Sequence, residues 1–138
     1  MKMTKKYLDE LTYDINGAAI EVHKELGPGL LESVCHKCLA YELWLRGINY
    51  EIEVELPVKY KMIEIDTKLR CDLFVENCIV IELKAVDNFH PVHSAQLLTY
   101  MKLLEVPKGI LINFNAYNLF KDGQRTFIND RFKKLPKE

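Results

Sequence analysis

Cys71-Asp72-Leu73-Phe74-Val75-Glu76-Asn77-Cys78-Ile79-Val80-Ile81-Glu82-Leu83-Lys84 is the stretch that decides how the chain is read. It has the composition of two apolar β-strands joined by a tight turn at Glu76-Asn77. Three charged residues interrupt it: Asp72, Glu82 and Lys84. A strand repeats its facing every second residue, so Glu82 and Lys84 point the same way. Burying charge costs several kcal/mol unless the group is paired, hydrated or bound to a metal. Two carboxylates and an ammonium in one place therefore suggest a divalent-cation site with a catalytic lysine. A condition follows. A plain two-residue loop at Glu76-Asn77 would pair Asp72 with Ile81 and turn Asp72 and Glu82 to opposite faces. The site needs an odd offset, from a three-residue loop or a bulge.

The rest of the composition fits one globular domain over residues 1–138, large enough for a full core: 49% of residues are hydrophobic and 28% charged. Apolar runs are too short to span a membrane, and Met1-Lys2-Met3-Thr4-Lys5-Lys6 lacks an apolar signal region, so the expected setting is the cytoplasm. A net charge of −1 argues against gripping duplex nucleic acid by bulk electrostatics. Local basic faces remain: Lys59, Lys61, Lys68 and Arg70, and Arg125, Arg131, Lys133, Lys134 and Lys137, each also readable as solvated surface. Cys35 and Cys38, with His36 between them, invite a zinc or redox reading, but they fall mid-helix, whereas zinc knuckles sit on turns. Cys71 and Cys78 read as small core residues.

Along the chain, Leu8, Leu11, Ile15, Ala18, Ala19, Val22 and Leu26 recur at helical spacing, so Tyr7–Leu26 reads as a helix with Thr4 as N-cap, stopped by Gly27-Pro28-Gly29. A second helix runs from Leu30 to Arg46, ended by Gly47, with an apolar stripe through Leu31, Val34, Cys38, Tyr41 and Leu45 that Leu30, Leu39 and Trp44 widen. Tyr13, Tyr41 and Trp44 are expected in the core rather than as base-stacking platforms. Glu32 near this helix's start is either a carboxylate favoured by the helix dipole or one aimed at the sheet. Tyr50–Tyr60 and Met62–Leu69 alternate as strands, Pro57 marking an edge or bulge. Pro91 opens a helix to Leu104 that packs through Leu97, Leu98, Met101 and Leu104. Gln96 and Tyr100, four apart, share one of its faces. Lys108–Phe114 reads as a strand covered on both sides. Gln124–Asn129 reads as an edge strand, with a polar, frayed tail from Asp130. The order implies an α/β fold: a mixed sheet with helices on both sides and a parallel βαβ unit after Lys84.

Asp72, Glu82-Leu83-Lys84 and Gln96-x-x-x-Tyr100 together resemble the PD-(D/E)xK nuclease superfamily, in its RecB-like branch. Gly29-Leu30-Leu31-Glu32-Ser33-Val34-Cys35 is similar to the signature of the GxxExxY proteins. So are Ile81-Glu82-Leu83-Lys84-Ala85-Val86, Pro91 to Tyr100 and Gly109 to Phe114. The likeness covers Ile15 to Asn129. Cys35 stands where that signature has tyrosine, keeping an apolar contact but losing the hydroxyl. Cys71 stands where the superfamily has proline.

The resemblance implies a restriction-endonuclease-like αβα sandwich and a metal-dependent phosphodiesterase site. Asp72 and Glu82, with the Leu83 carbonyl, would bind Mg²⁺ or Mn²⁺, which needs few carboxylates because it keeps several waters. Lys84 would orient or deprotonate the attacking water, or stabilise the transition state as a cation. Glu32 would hold a water or a second ion, Gln96 and Tyr100 would orient Lys84 and the scissile strand, and His93 would be an accessory ligand or an ordinary histidine. The expected partner is nucleic acid, DNA in the first instance, with a second copy or a protein partner supplying added grip and no membrane. The alternative is a silent module of the same fold that binds nucleic acid or protein, its acids and lysine closed in a salt bridge.

Overall fold

The computed structural model describes residues 3–138; Met1 and Lys2, which begin the charged start, lie outside them. Lys5–Leu26 forms α1 and Glu32–Leu45 forms α2. Tyr50–Glu55 (β1), Val58–Tyr60 (β2), Ile63–Ile65 (β3), Arg70–Val75 (β4) and Ile79–Lys84 (β5) follow. Pro91–Leu103 is α3, Lys108–Asn113 β6, Leu119–Asp122 α4, Gln124–Ile128 β7 and Asp130–Lys133 α5.

A five-stranded sheet runs in the order β1-β4-β5-β6-β7, and β2 and β3 form a separate two-stranded ribbon. β5 and β6 are parallel; every other neighbouring pair is antiparallel. One face of the sheet offers Leu73, Val75, Ile79, Ile81, Leu83, Ile110 and Ile112 to α1 and α2. The other offers Val80 and Leu111 to Leu97, Tyr100 and Met101 of α3. The architecture is the αβα sandwich of the restriction-endonuclease-like fold, with a central mixed sheet.

The local causes are the ones the residues suggest. Thr4 Oγ1 accepts the Tyr7 N–H at 3.0 Å and caps α1, and Gly27 ends it at φ 73°, a dihedral open to glycine. Pro91 occupies the first turn of α3, where a missing N–H costs nothing. β6 is buried along its whole length because helices cover both faces. β1, which Pro57 separates from β2, and β7 are the sheet's edges.

Several expectations give way. On α2 the buried residues are Cys35, Leu39 and Leu43; Leu39 is expected there, but Leu31 at the N-cap, Tyr41 and Leu45 are exposed, so the stripe is centred one residue out of phase from the expected one. α2 is apolar nearly all round, and the pattern does not fix which arc meets the sheet. Tyr13, Tyr41 and Trp44, expected in the core, are 79%, 59% and 64% exposed. On α3, Tyr100 takes the buried position expected for Leu98. The helices start or stop one or two residues from the expected ends, and Asn115–Gly123 contains the short α4. The tail does not fray. It forms α5, and then the Pro136 and Lys137 carbonyls accept the Lys5 and Lys6 N–H groups at 2.8 and 3.0 Å, donors that the start of α1 leaves free.

Gly123 brings the chain back against β6. The Asn113 N–H donates to its carbonyl at 2.7 Å, and an added Cβ would lie 2.7 Å from the Asn113 carbonyl oxygen and 2.9 Å from Leu119 Cδ1. Paired backbone cannot yield as a side-chain tip does, so Gly123→Ala is expected to destabilise by about 1–3 kcal/mol. A lower urea midpoint at unchanged m-value is the measurement.

Candidate active site

β4 and β5 pair Val75 with Ile79, Phe74 with Val80 and Leu73 with Ile81, leaving Glu76-Asn77-Cys78 as a three-residue loop. Glu76 and Asn77 take φ values of 50° and 56°. Glu76 anchors the loop through Oε1, which accepts the Asn49 N–H at 3.0 Å. This is the odd offset that the two acids require: continued by one rung, it sets Asp72 opposite Glu82. The rung itself is not backbone. The Asp72 N–H donates to Glu82 Oε2 at 3.1 Å, and the Leu83 N–H donates to Asp72 Oδ2 at 2.8 Å. Side-chain oxygens replace strand carbonyls, so both carboxylates sit in the gap where the hairpin opens. Because the N–H and C=O of a strand residue share a side, the Leu83 carbonyl faces the same gap.

A second feature shapes the gap. Glu53, across from Asp72 on β1, has φ 48°, uncommon for a residue other than glycine. Tyr50 packs with the core under α1 and α2, but Val54 with the core under α3; Leu73 and Cys71 divide the same way. Residues an even number apart normally share a face. Both strands therefore reverse their facing at Glu53 and Asp72.

Glu82 is 5% exposed. Burial, then the hydrogen bond and charge of Asp72, push its carboxyl up to about 9, against a smaller pull from Lys84. Glu32, the first residue of α2, is exposed but close enough to respond: burial and the Asp72 charge raise its carboxyl, while Lys84 and His36 draw it down. His36, one turn on, donates from Nε2 to the Asp72 carbonyl at 2.9 Å. On the opposite side, Gln96 Nε2 donates to the Tyr100 hydroxyl at 2.9 Å; burial and the Glu82 charge raise the Tyr100 phenol. Among the described residues the ion pairs within 4.0 Å join Glu42 to Arg46, Asp9 to Lys108, Glu105 to Arg131 and Asp130 to Lys133. Lys84 is in none of them, so the acids and the lysine are not closed in a salt bridge.

His93 lies close enough to the site to respond to it: burial, then the Lys84 charge, draws its imidazole down. Its Nδ1 accepts the His90 N–H at 3.1 Å and caps α3. Cys35 and Cys38 are free thiols, Cys35 buried under α2. Among the described residues no three His, Cys, Asp or Glu side chains form a ready-made cage for an ion. The donor set nevertheless suits Mg²⁺ or Mn²⁺: Asp72 and Glu82 bring two adjacent carboxyl groups to the gap, hydrogen-bonded to each other and to backbone N–H groups, and such ions complete their shell with water.

Sequence reasoning missed the supports. The Asn113 side chain, 3% exposed and level with Lys84 on the next strand, accepts the Val86 and Asn115 N–H groups, both at 3.1 Å, and donates to the Val86 carbonyl at 2.8 Å. Asn115 Oδ1 accepts the Gly29 N–H at 3.0 Å, just ahead of Glu32. The loop after β6 thus holds both the exit of Lys84 and the turn that delivers Glu32. Asn113→Ala strips the Val86 amide of its partners and is expected to cost about 2–3 kcal/mol, read in thermal melts. An asparagine ending an apolar strand was the only hint in the sequence.

A family model described as the PD-(D/E)XK nuclease superfamily matches residues 9–126, which takes in every residue of this site. No curated protein and no solved structure matches the chain. With most of its length matched by that family and its acids crossed in the opened hairpin, the chain belongs to the PD-(D/E)XK nuclease superfamily.

Proposed function

We propose that the chain is a Mg²⁺- or Mn²⁺-dependent nuclease that hydrolyses phosphodiester bonds of DNA, acting in the cytoplasm in repair, recombination or defence. Within the superfamily we align it with the GxxExxY proteins, on Gly29, Glu32 and the Gln96–Tyr100 pair. The observation that carries the reading is the crossed Asp72–Glu82 pair in the opened hairpin, beside a lysine that makes no ion pair within 4.0 Å among the described residues.

Asp72, Glu82 and the Leu83 carbonyl are the groups that would hold the ion. When bound, it supplies Lewis-acid stabilisation of charge on the phosphate and lowers the pKa of a nucleophilic water. Lys84 would act on the attacking water in one of two forms: as the neutral amine, taking its proton, or as the ammonium, orienting it and offsetting charge that develops on the phosphate. Tyr100, held by Gln96, borders Glu82 and positions the scissile strand. Glu32 faces Asp72 and Lys84 from the start of α2, suited to hold a water rather than to add a third carboxylate to the ion. A second copy or a protein partner would add grip to a chain of nearly neutral charge.

The test is cleavage of labelled single- and double-stranded DNA with Mn²⁺, wild type against Asp72→Ala. Cutting is expected from the first and not from the second. Binding of DNA by the wild type with no cutting would leave the silent module as the reading.

A further inference from the structure

The exposed aromatic residues of α2 have a use that the catalytic site does not absorb. Glu32, His36, Ala40 and Trp44 are four apart, so they form one ridge of the helix. It begins at the acid facing Asp72, passes the histidine that binds the Asp72 carbonyl, and reaches Trp44 about 18 Å away. There, Tyr41 and Trp44 stack with ring centroids 5.8 Å apart and planes at 23°. Together with Tyr50 and Ile52 of β1 they wall an almost wholly apolar groove of about 380 Å³, which His36 and Lys37 also line. Trp44, Tyr41 and Ile52 are each more than half exposed. Exposed aromatics gathered in one groove mark a binding surface.

We infer that this groove is the track for an unpaired strand of the nucleic acid whose phosphate enters the hairpin gap, its bases stacking on Trp44 and Tyr41. The inference rests on the nuclease reading and narrows its substrate to single-stranded or splayed DNA. Three observations choose this occupant. The groove is continuous with the candidate active site through His36, which lines one and hydrogen-bonds the other. The chain, at a net charge of −1, lacks the basic excess for gripping a duplex, whereas stacking on aromatics is strong and indifferent to sequence but requires bases out of the helix. Lys37 supplies a cation beside the groove for a backbone phosphate. Pairing of a second copy through β1 is opposed by Glu51, Glu53 and Glu55, which would bring like charges together along that edge.

Trp44 is the sole tryptophan of the chain and so reports on its own groove. In EDTA, where no cutting occurs, a short oligothymidylate is expected to quench its fluorescence, and a blunt duplex of the same length is not. Tyr41→Ala and Ile52→Ala are expected to weaken binding of a dye-labelled oligothymidylate about tenfold each, and Trp44→Ala more, with Trp44→Phe largely restoring it. These surface changes leave the melting temperature in place, which checks folding. Equal quenching by the duplex, no quenching by either, or quenching only by self-association or by a basic peptide would overturn the inference. Cleavage of the same oligonucleotide in Mn²⁺ is scored separately. Cutting without stacking rejects the track and keeps the nuclease; stacking without cutting does the reverse.

Discussion

Lys84→Ala is expected to lower DNA cleavage by about 10²–10⁴-fold while leaving Mn²⁺ binding intact or slightly tighter. The ammonium is not an ion ligand, and within 4.0 Å it pairs with no acid among the described residues. Its removal therefore takes a positive charge from the site without uncovering a buried carboxylate. Asp72→Asn should behave differently, losing cleavage and Mn²⁺ binding together, because it removes charge from one of the two acids in the gap. Calorimetric titration of Mn²⁺ alongside cleavage rates separates the two patterns. A Lys84→Ala variant that cuts at the wild-type rate would remove the lysine from the mechanism.

Glu82→Gln is expected to stabilise the protein in EDTA at pH 8 and to end its activity. Glu82 titrates near 4.5 as a free carboxyl and is pushed to about 9 in the fold, first by burial and then by Asp72. The folded chain thus binds more protons than the unfolded chain between those values. Stability contributed by the protonated group is fully present below about pH 4.5 and is lost as pH rises toward 9. Glutamine keeps the shape of the protonated acid, accepting the Asp72 N–H and donating to the Asp72 carboxylate, at no charge cost. The gain should be negligible at pH 4.5 and reach about 2 kcal/mol or more at pH 8, visible as a melting temperature that separates from wild type with rising pH. An equal offset at every pH would mean that ionisation of Glu82 is not what strains the fold. Stability given up at a site in this way is a common mark of function.

The sequence carried the sheet well where the reason was local. The odd offset of the hairpin followed from requiring Asp72 and Glu82 in one place, and the three-residue loop meets it. An almost wholly apolar run marked β6, and the four-residue spacing of Gln96 and Tyr100 put them on one helix face, where they hydrogen-bond. What escaped depends on distant partners. Nothing in Glu53 announces a positive φ; it is set where β1 and β4 reverse their facing together. The burying arc of α2 could not be chosen because apolar residues surround the helix, and that misphasing hid Tyr41 and Trp44. His36 looked like part of a zinc motif with Cys35 and Cys38; its role appears only once Asp72, far along the chain, lies beside it.

The hold that Asn113 and Asn115 keep on two separate segments bears on how the site comes together. A loop gripping both flanks acts as a yoke: if it shifts, the helix acid and the lysine move as one. Half-built arrangements, with one in position and the other swung aside, should then be scarce. The centre would assemble or fall apart in a single step, and damage to the yoke would be felt at residues it never touches.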